Sequence, residues 1–290
     1  MFNGVFTALI TPFKDNQIDD KAFRSFIDFQ IKEGIHGVVP VGTTGESPTL
    51  SHEEHKNAVE ICIDQVAKRV PVIAGTGSNN TEEAIDLTIH AYEAGADAAL
   101  VVTPYYNKPT QDGMYAHYEA ISKASKIPII IYNIPSRSVI DMSNDTMSKL
   151  FKLDNIVGVK DATSNIPRVY DSKMKIGPDF NLLTGDDATT LAFMLYGGHG
   201  AISVTSNIAP KLCSSFMNHC LQKNYEEASR INDLLMPLHS ALFIESSPGP
   251  VKYAAKKLNL CDDKVRLPLI NISEETKAIV DEALKHASLL

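Results

Sequence analysis

The 290-residue sequence contains no tryptophan, only four cysteines, and no apolar run near the roughly 18 residues that cross a membrane as a helix. Cys62, Cys213, Cys220 and Cys261 include no Cys-x-x-Cys pair, so the spacing of a zinc knuckle or dithiol redox centre is missing. Cys213 and Cys220, seven apart on one helix face, read as small buried hydrophobes. Positive charge is also short: 27 Lys and Arg stand against 35 Asp and Glu, a formal charge of −8. That balance excludes a dedicated binder of nucleic acid or anionic membrane. Met1-Phe2-Asn3-Gly4 lacks the positive start and apolar core of a secretion signal, so a cytoplasmic protein is expected. What remains, 44% apolar and 21% charged, is the composition of a globular domain rather than a collagen or a disordered chain.

Short β-branched runs recur along the chain. They cover Val5 to Ile10, Gly37 to Val41, Val70 to Ala74, Ala98 to Val102, Ile127 to Tyr132, Ile156 to Lys160, Asn181 to Thr184 and Gly200 to Val204. Most are separated by helical patterns, and strands joined by long crossovers run parallel. Phe23, Phe26, Ile27 and Ile31 make one apolar helix face. Ser51 with Glu54 forms a capping box for the second helix, and Thr81 before Glu82 and Glu83 reads as the N-cap of the third. Gly34 and Gly95 stand where helices stop and positive φ is needed.

Eight strand–helix units at this spacing predict the α/β class, a (β/α)8 TIM barrel. Residues 1–225 are read as the barrel and 226–290 as a C-terminal helical extension. The rival, an open doubly wound sheet, lacks its phosphate fingerprint: Gly75-Thr76-Gly77 has no third glycine in place.

In such barrels chemistry gathers at the carboxyl ends of the strands. Lys160 is the only Lys or Arg in the eight strand cores. Burial disfavours a charged amine and frees its lone pair, the condition for imine formation with a ketone; the plainer reading is an ion pair with Asp161 or another carboxylate. Tyr132 closes the fifth strand, where a phenol can shuttle protons or simply pack. Gly42-Thr43-Thr44-Gly45-Glu46 offers backbone amides and two hydroxyls to a carboxylate, and is no P-loop because the lysine is missing. Arg137 offers a guanidinium fork for a carboxylate or is a surface residue. Asp186 and Asp187 after the seventh strand disfavour a phosphorylated substrate. Tyr105-Tyr106 reads as an interface or ligand platform. His52 and His55 lack H-E-x-x-H spacing, so no metal is expected.

Taken together, Gly42-Thr43-Thr44-Gly45-Glu46, Tyr132-Asn133-Ile134-Pro135-Ser136-Arg137 and Val159-Lys160-Asp161-Ala162 resemble the 4-hydroxy-tetrahydrodipicolinate (dihydrodipicolinate) synthase family of pyruvate-dependent class I aldolases. The likeness continues through Gly185-Asp186-Asp187-Ala188, Gly198 to Val204 and Met236-Pro237-Leu238-His239. It implies that Lys160 forms an imine with pyruvate, whose enamine attacks L-aspartate-4-semialdehyde before the substrate amine displaces the lysine and closes a ring. Tyr132 is then the proton donor and acceptor, relayed through Thr43 to Tyr106 of a neighbouring subunit. Thr44 holds the pyruvate carboxylate and Arg137 that of the semialdehyde, while Gly185 and Ile202 line the pocket. The resemblance also implies a homotetramer of tight dimers, no cofactor and no metal. It places Ser47, Pro48, His52, His55, Gly77, Asn79, Glu83 and Tyr105 at a dimer-interface site where L-lysine inhibits. Ser246-Ser247-Pro248-Gly249-Pro250-Val251-Lys252 departs from the family pattern and is assigned no role. The alternatives are another pyruvate lyase such as N-acetylneuraminate lyase, or a barrel that binds a keto acid without catalysis.

Overall fold

A computed structural model describes residues 2–290. The main sheet holds β1 (Gly4–Ala8), β2 (Gly37–Val39), β3 (Ile73–Gly75), β4 (Ala98–Val102), β5 (Ile129–Asn133), β6 (Ile156–Asp161), β7 (Asn181–Thr184) and β8 (Gly200–Ser203). Their order in the sheet is β2-β1-β8-β7-β6-β5-β4-β3. With helices between strands, this is the (β/α)8 arrangement of a TIM barrel followed by C-terminal helices. The strands are short, apolar and almost wholly buried, as a parallel sheet covered on both faces requires.

The chain divides into two compact units. One contains Ile73–Ile202, together with Phe2 and Asn3. Within it β3 to β8 form successive parallel ladders, with Ile73 opposite Ala98, Val101 opposite Ile131, Tyr132 opposite Lys160, Lys160 opposite Leu183, and Gly200 opposite Leu183. The second unit contains Gly4–Val72 and Ser203–Leu290. Here β1 lies parallel to β2, and a single bridge joins Val38 to Val72.

The helices are α1 (Asp20–Lys32), α2 (His52–Val66), α3 (Thr81–Ala94), α4 (Gln111–Ala124), α5 (Pro135–Ser138), α6 (Asn144–Leu150), α7 (Pro167–Ile176), α8 (Thr190–Leu195), α9 (Pro210–Leu221), α10 (Tyr225–Ala241), α11 (Gly249–Lys257) and α12 (Glu274–His286). The Ser51–Glu54 capping box opens α2, and Gly34 (φ +86°) and Gly95 (φ +96°) take the left-handed conformation after α1 and α3.

The structure differs from the sequence pattern at three places. Asn80, not Thr81, caps α3: its side chain accepts from the Glu82 amide, leaving the Thr81 hydroxyl to meet His117 Nδ1 at 2.9 Å. On α1, Ile31 is only half-buried and Gln30 takes the inner place, bonded to Thr7 at 2.7 Å and to the Asn207 carbonyl at 2.9 Å. The third strand begins at Ile73 rather than Val70, because Pro71 has no amide to give the ladder. A small hairpin of Phe13–Lys14 and Gln17–Ile18 also forms, turned by Asp15 (φ +50°) and Asn16 (φ +59°), residue types that accept left-handed backbone.

Candidate active site

Strands β5 and β6 set the centre of the site. Tyr132 and Lys160 occupy one rung of the parallel ladder, each 6% exposed, and Lys160 Nζ lies 4.1 Å from the centroid of the Tyr132 ring. The ion-pair reading of Lys160 fails in the structure, since no carboxylate pairs with its amine among the described residues. The neighbouring Asp161 is committed elsewhere, accepting from the Thr163 amide (2.8 Å) and hydroxyl (2.5 Å) and facing Arg168 Nε at 3.1 Å. Burial raises the Asp161 carboxyl above the usual carboxylate range, and the Thr163 bonds oppose that shift.

Arg168 also grips both oxygens of Asp141 at 2.8 Å, and Asn133 donates to Asp141 at 2.7 Å while accepting from the Met142 amide at 3.0 Å. The rung above the lysine–tyrosine pair, Asn133 opposite Asp161, is therefore braced by a polar network that the sequence reading missed. Its only sequence signal was Asn and Asp ending two apolar strands.

The network anchors the segment between Asn133 and Asp141, which carries α5 and Arg137. The Arg137 guanidinium is exposed and makes no ion pair among the described residues, leaving it available to an anionic group. Gly185, whose amide bonds to the Asp161 carbonyl at 2.7 Å, passes close to the lysine stem: an added Cβ would stand 2.7 Å from Lys160 Cε. Ile202 on β8 is buried. Asp186 is occupied as a local cap, accepting from the Ala188 amide and from the Ser164 and Thr189 hydroxyls.

In the second unit, residues Gly42–Gly45 turn sharply after β2. Thr44 is buried and Thr43 half-buried. The turn is closed by Gly45 N–H to Gly42 O (3.0 Å), Glu46 N–H to Thr43 O (3.1 Å) and the Thr11 hydroxyl to Gly45 O (2.7 Å). Both flanking residues, Val41 (φ +49°) and Glu46 (φ +57°), are left-handed. Such backbone costs of order 1–3 kcal/mol per residue and persists where surroundings impose it. Ser47 and Pro48 follow in a 3-10 turn; His52 lies exposed and His55 buried on α2.

The remaining members of the expected effector set lie in the first unit. Asn79 donates to the Tyr105 carbonyl at 3.2 Å, Asn107 donates to the Asn79 carbonyl at 2.8 Å, and the Ser78 hydroxyl donates to Glu83. Gly77 runs so close to β4 that a Cβ would meet the Val102 nitrogen. Tyr106, at φ +72°, is 88% exposed. An open groove of about 960 Å³ lined by Ile89, Tyr92, Ser122 and Asn155 sits by the segments leading into β5 and β6, opposite the reactive ends, and its lysines are exposed; it is not the site. Among the described residues no cluster of three or more His, Cys, Asp or Glu is arranged to hold a metal, and no helix is long and apolar enough to cross a membrane.

The Dihydrodipicolinate synthetase family model matches residues 1–287. The chain is 60% identical over 292 residues to the 4-hydroxy-tetrahydrodipicolinate synthase of Bartonella henselae, covering 100% of this chain and 99% of that protein. The chloride-inhibited dihydrodipicolinate synthase of Acinetobacter baumannii, solved in complex with pyruvate, matches with a TM-score of 0.98 at 44% identity over 100% of both chains. The enzyme of Cyanidioschyzon merolae with lysine bound matches with a TM-score of 0.96 at 38% identity, over 100% of this chain and 99% of that one. Fold and site together thus define a lyase of the class I aldolase type. The chain belongs to the dihydrodipicolinate synthetase family.

Proposed function

We propose that this chain condenses pyruvate with L-aspartate-4-semialdehyde to give 4-hydroxy-tetrahydrodipicolinate, in the cytoplasm. The observation that carries the reading is the buried Lys160 amine, 4.1 Å from the Tyr132 ring and paired with no carboxylate among the described residues. In this reaction the Lys160 nitrogen adds to the pyruvate ketone and water leaves, forming an imine. Loss of a methyl proton gives the enamine, whose carbon bonds to the semialdehyde carbonyl carbon as its oxygen takes a proton. The substrate's own amine then replaces Lys160 at the imine carbon and frees the enzyme. The imine is the electron sink, so no metal or organic cofactor is required.

Tyr132 handles the protons, and Arg137 meets the semialdehyde carboxylate with its unpaired fork. Gly185 and Ile202 shape the wall. The roles of Thr43 in the proton relay and of Thr44 on the pyruvate carboxylate rest on the family resemblance, as does that of Tyr106 reaching from a neighbouring subunit. The exposure of Tyr106 agrees with it. Tyr170, Met174, Leu195 and Tyr196 are large apolar residues left exposed, in keeping with a homotetramer. The lysine-bound relative supports L-lysine as a ligand; its inhibitory site at Ser47, Pro48, His52, His55, Gly77, Asn79, Glu83 and Tyr105 rests on the family resemblance, with the Glu83 carboxylate supplying the charge an ammonium needs.

Product identity tests the reading. Incubation with pyruvate and aspartate semialdehyde is expected to yield the cyclic product, with the rate falling on addition of millimolar lysine. Release of pyruvate from N-acetylneuraminate instead would assign the chain to the sibling lyase.

A further inference from the structure

Among the described residues two lysines are buried, Lys160 and Lys252. The second lies on α11, within the segment to which the sequence assigned no role. Its Nζ donates to Glu46 Oε1 at 2.5 Å and to the Lys264 carbonyl at 2.7 Å, and sits 4.1 Å above the Phe13 ring. The other Glu46 oxygen accepts the Arg266 amide at 2.9 Å. The Lys252 and Glu46 side chains are 0% and 1% exposed. A buried ion pair contributes little to stability compared with a packed apolar pair, but neither member can leave without stranding a charge. What such a pair supplies here is a fixed position for Glu46.

That position matters because Glu46 is the last residue of a strained turn. Val41, β-branched at φ +49°, enters it, and Glu46 at φ +57° leaves it. Gly45 is pressed against the Val41 backbone, where an added Cβ would come within 3.0 Å. Hydrogen bonds from the Gly45, Glu46 and Ser47 amides and the Thr11 hydroxyl close the turn, and among the described residues the Glu46 carboxylate alone ties it to α11 through charge.

We propose that the Lys252–Glu46 ion pair is a clasp by which α11 holds the Thr43–Thr44 turn in its strained shape, making Lys252 a positioning residue for pyruvate. The proposal rests on the roles given above to Thr43 and Thr44. Loosening the clasp lets the turn relax, displacing the Thr44 amide and hydroxyl from the pyruvate carboxylate and Thr43 from the proton path. Arg137, carried on α5, is untouched.

The test is steady-state kinetics of the full-length E46Q/K252M double variant, which removes both charges together and so leaves none stranded. The expected result is a pyruvate KM raised about tenfold or more with a lower kcat, and an aspartate semialdehyde KM within about twofold of wild type. Borohydride with saturating pyruvate still modifies Lys160. A lower Tm with unchanged pyruvate KM and kcat would overturn the clasp and leave the pair merely structural. Should the double variant not fold, Glu46→Asp keeps both charges while withdrawing the carboxylate by one methylene; it is expected to raise the pyruvate KM selectively, and an unchanged KM overturns the proposal. A wild-type chain that forms no adduct with pyruvate brings down the functional reading and the clasp with it; a wild-type adduct beside a wild-type-like variant brings down the clasp alone.

Discussion

Gly185 leaves room for the stem of Lys160 and for nothing more. An added Cβ would lie 2.7 Å from Lys160 Cε and 2.9 Å from the Ala162 Cβ, and the second atom cannot escape by changing rotamer. Gly185→Ala is therefore expected to displace the lysine and cut kcat/KM by about 100-fold. Overpacking adds a stability loss of about 1–3 kcal/mol, read as a lower Tm. Wild-type kinetics in this variant would show that the lysine is not held where the structure places it.

Tyr132 shares its rung with Lys160, and phenylalanine keeps the ring beside the amine while removing only the hydroxyl. Tyr132→Phe is expected to lower kcat by about 10²–10⁴-fold, the range of a lost general acid–base group. Thermal scans should show a near-wild-type Tm. A full-speed variant would reduce Tyr132 to packing.

Arg137 is exposed and has no ion-pair partner among the described residues, so its loss breaks no salt bridge of the fold. Arg137→Ala is expected to raise the KM for aspartate semialdehyde about 10–100-fold, the worth of a charge-assisted hydrogen bond of about 1.5–3 kcal/mol. The pyruvate KM and Tm stay put. An equal rise in both KM values would point to a general collapse of the loop instead.

Burial pushes His117 down to about 4 from its ordinary 6.5. Between these values the unfolded chain binds the proton that the native chain refuses, so stability rises with pH across this window and is lost as pH falls from 6.5 toward 4. The loss attributable to this residue approaches about 3 kcal/mol. Half-buried His36 and His199, also lowered, act in the same direction. In denaturant titrations from pH 7 to 4, His117→Gln is expected to lose less stability than wild type. Parallel curves would remove His117 from the account.

The barrel was legible because its signal is local: β-branched runs of strand length, each followed by a helical face. Lys160 stood out for the same reason, as a charge inside an apolar strand whose burial needs an explanation. Features missed at the sequence level depend on partners remote in the chain. Glu46 and Lys252 meet across 206 positions, and nothing near either names the other. Arg168, Asp141 and Asn133 converge from three separate elements on Asp161. The Asn80 cap was misread by one residue because Thr81 is itself a good cap, and only its bond to His117 shows that it has other work.

The central claim, that Lys160 is the nucleophile, is tested most directly by borohydride reduction in the presence of pyruvate followed by peptide mass spectrometry. The account predicts a reduced pyruvate adduct on the peptide carrying Lys160, and none in Lys160→Ala of wild-type Tm. An unmodified Lys160 peptide in an enzyme that turns over, or an adduct on another lysine, would contradict it.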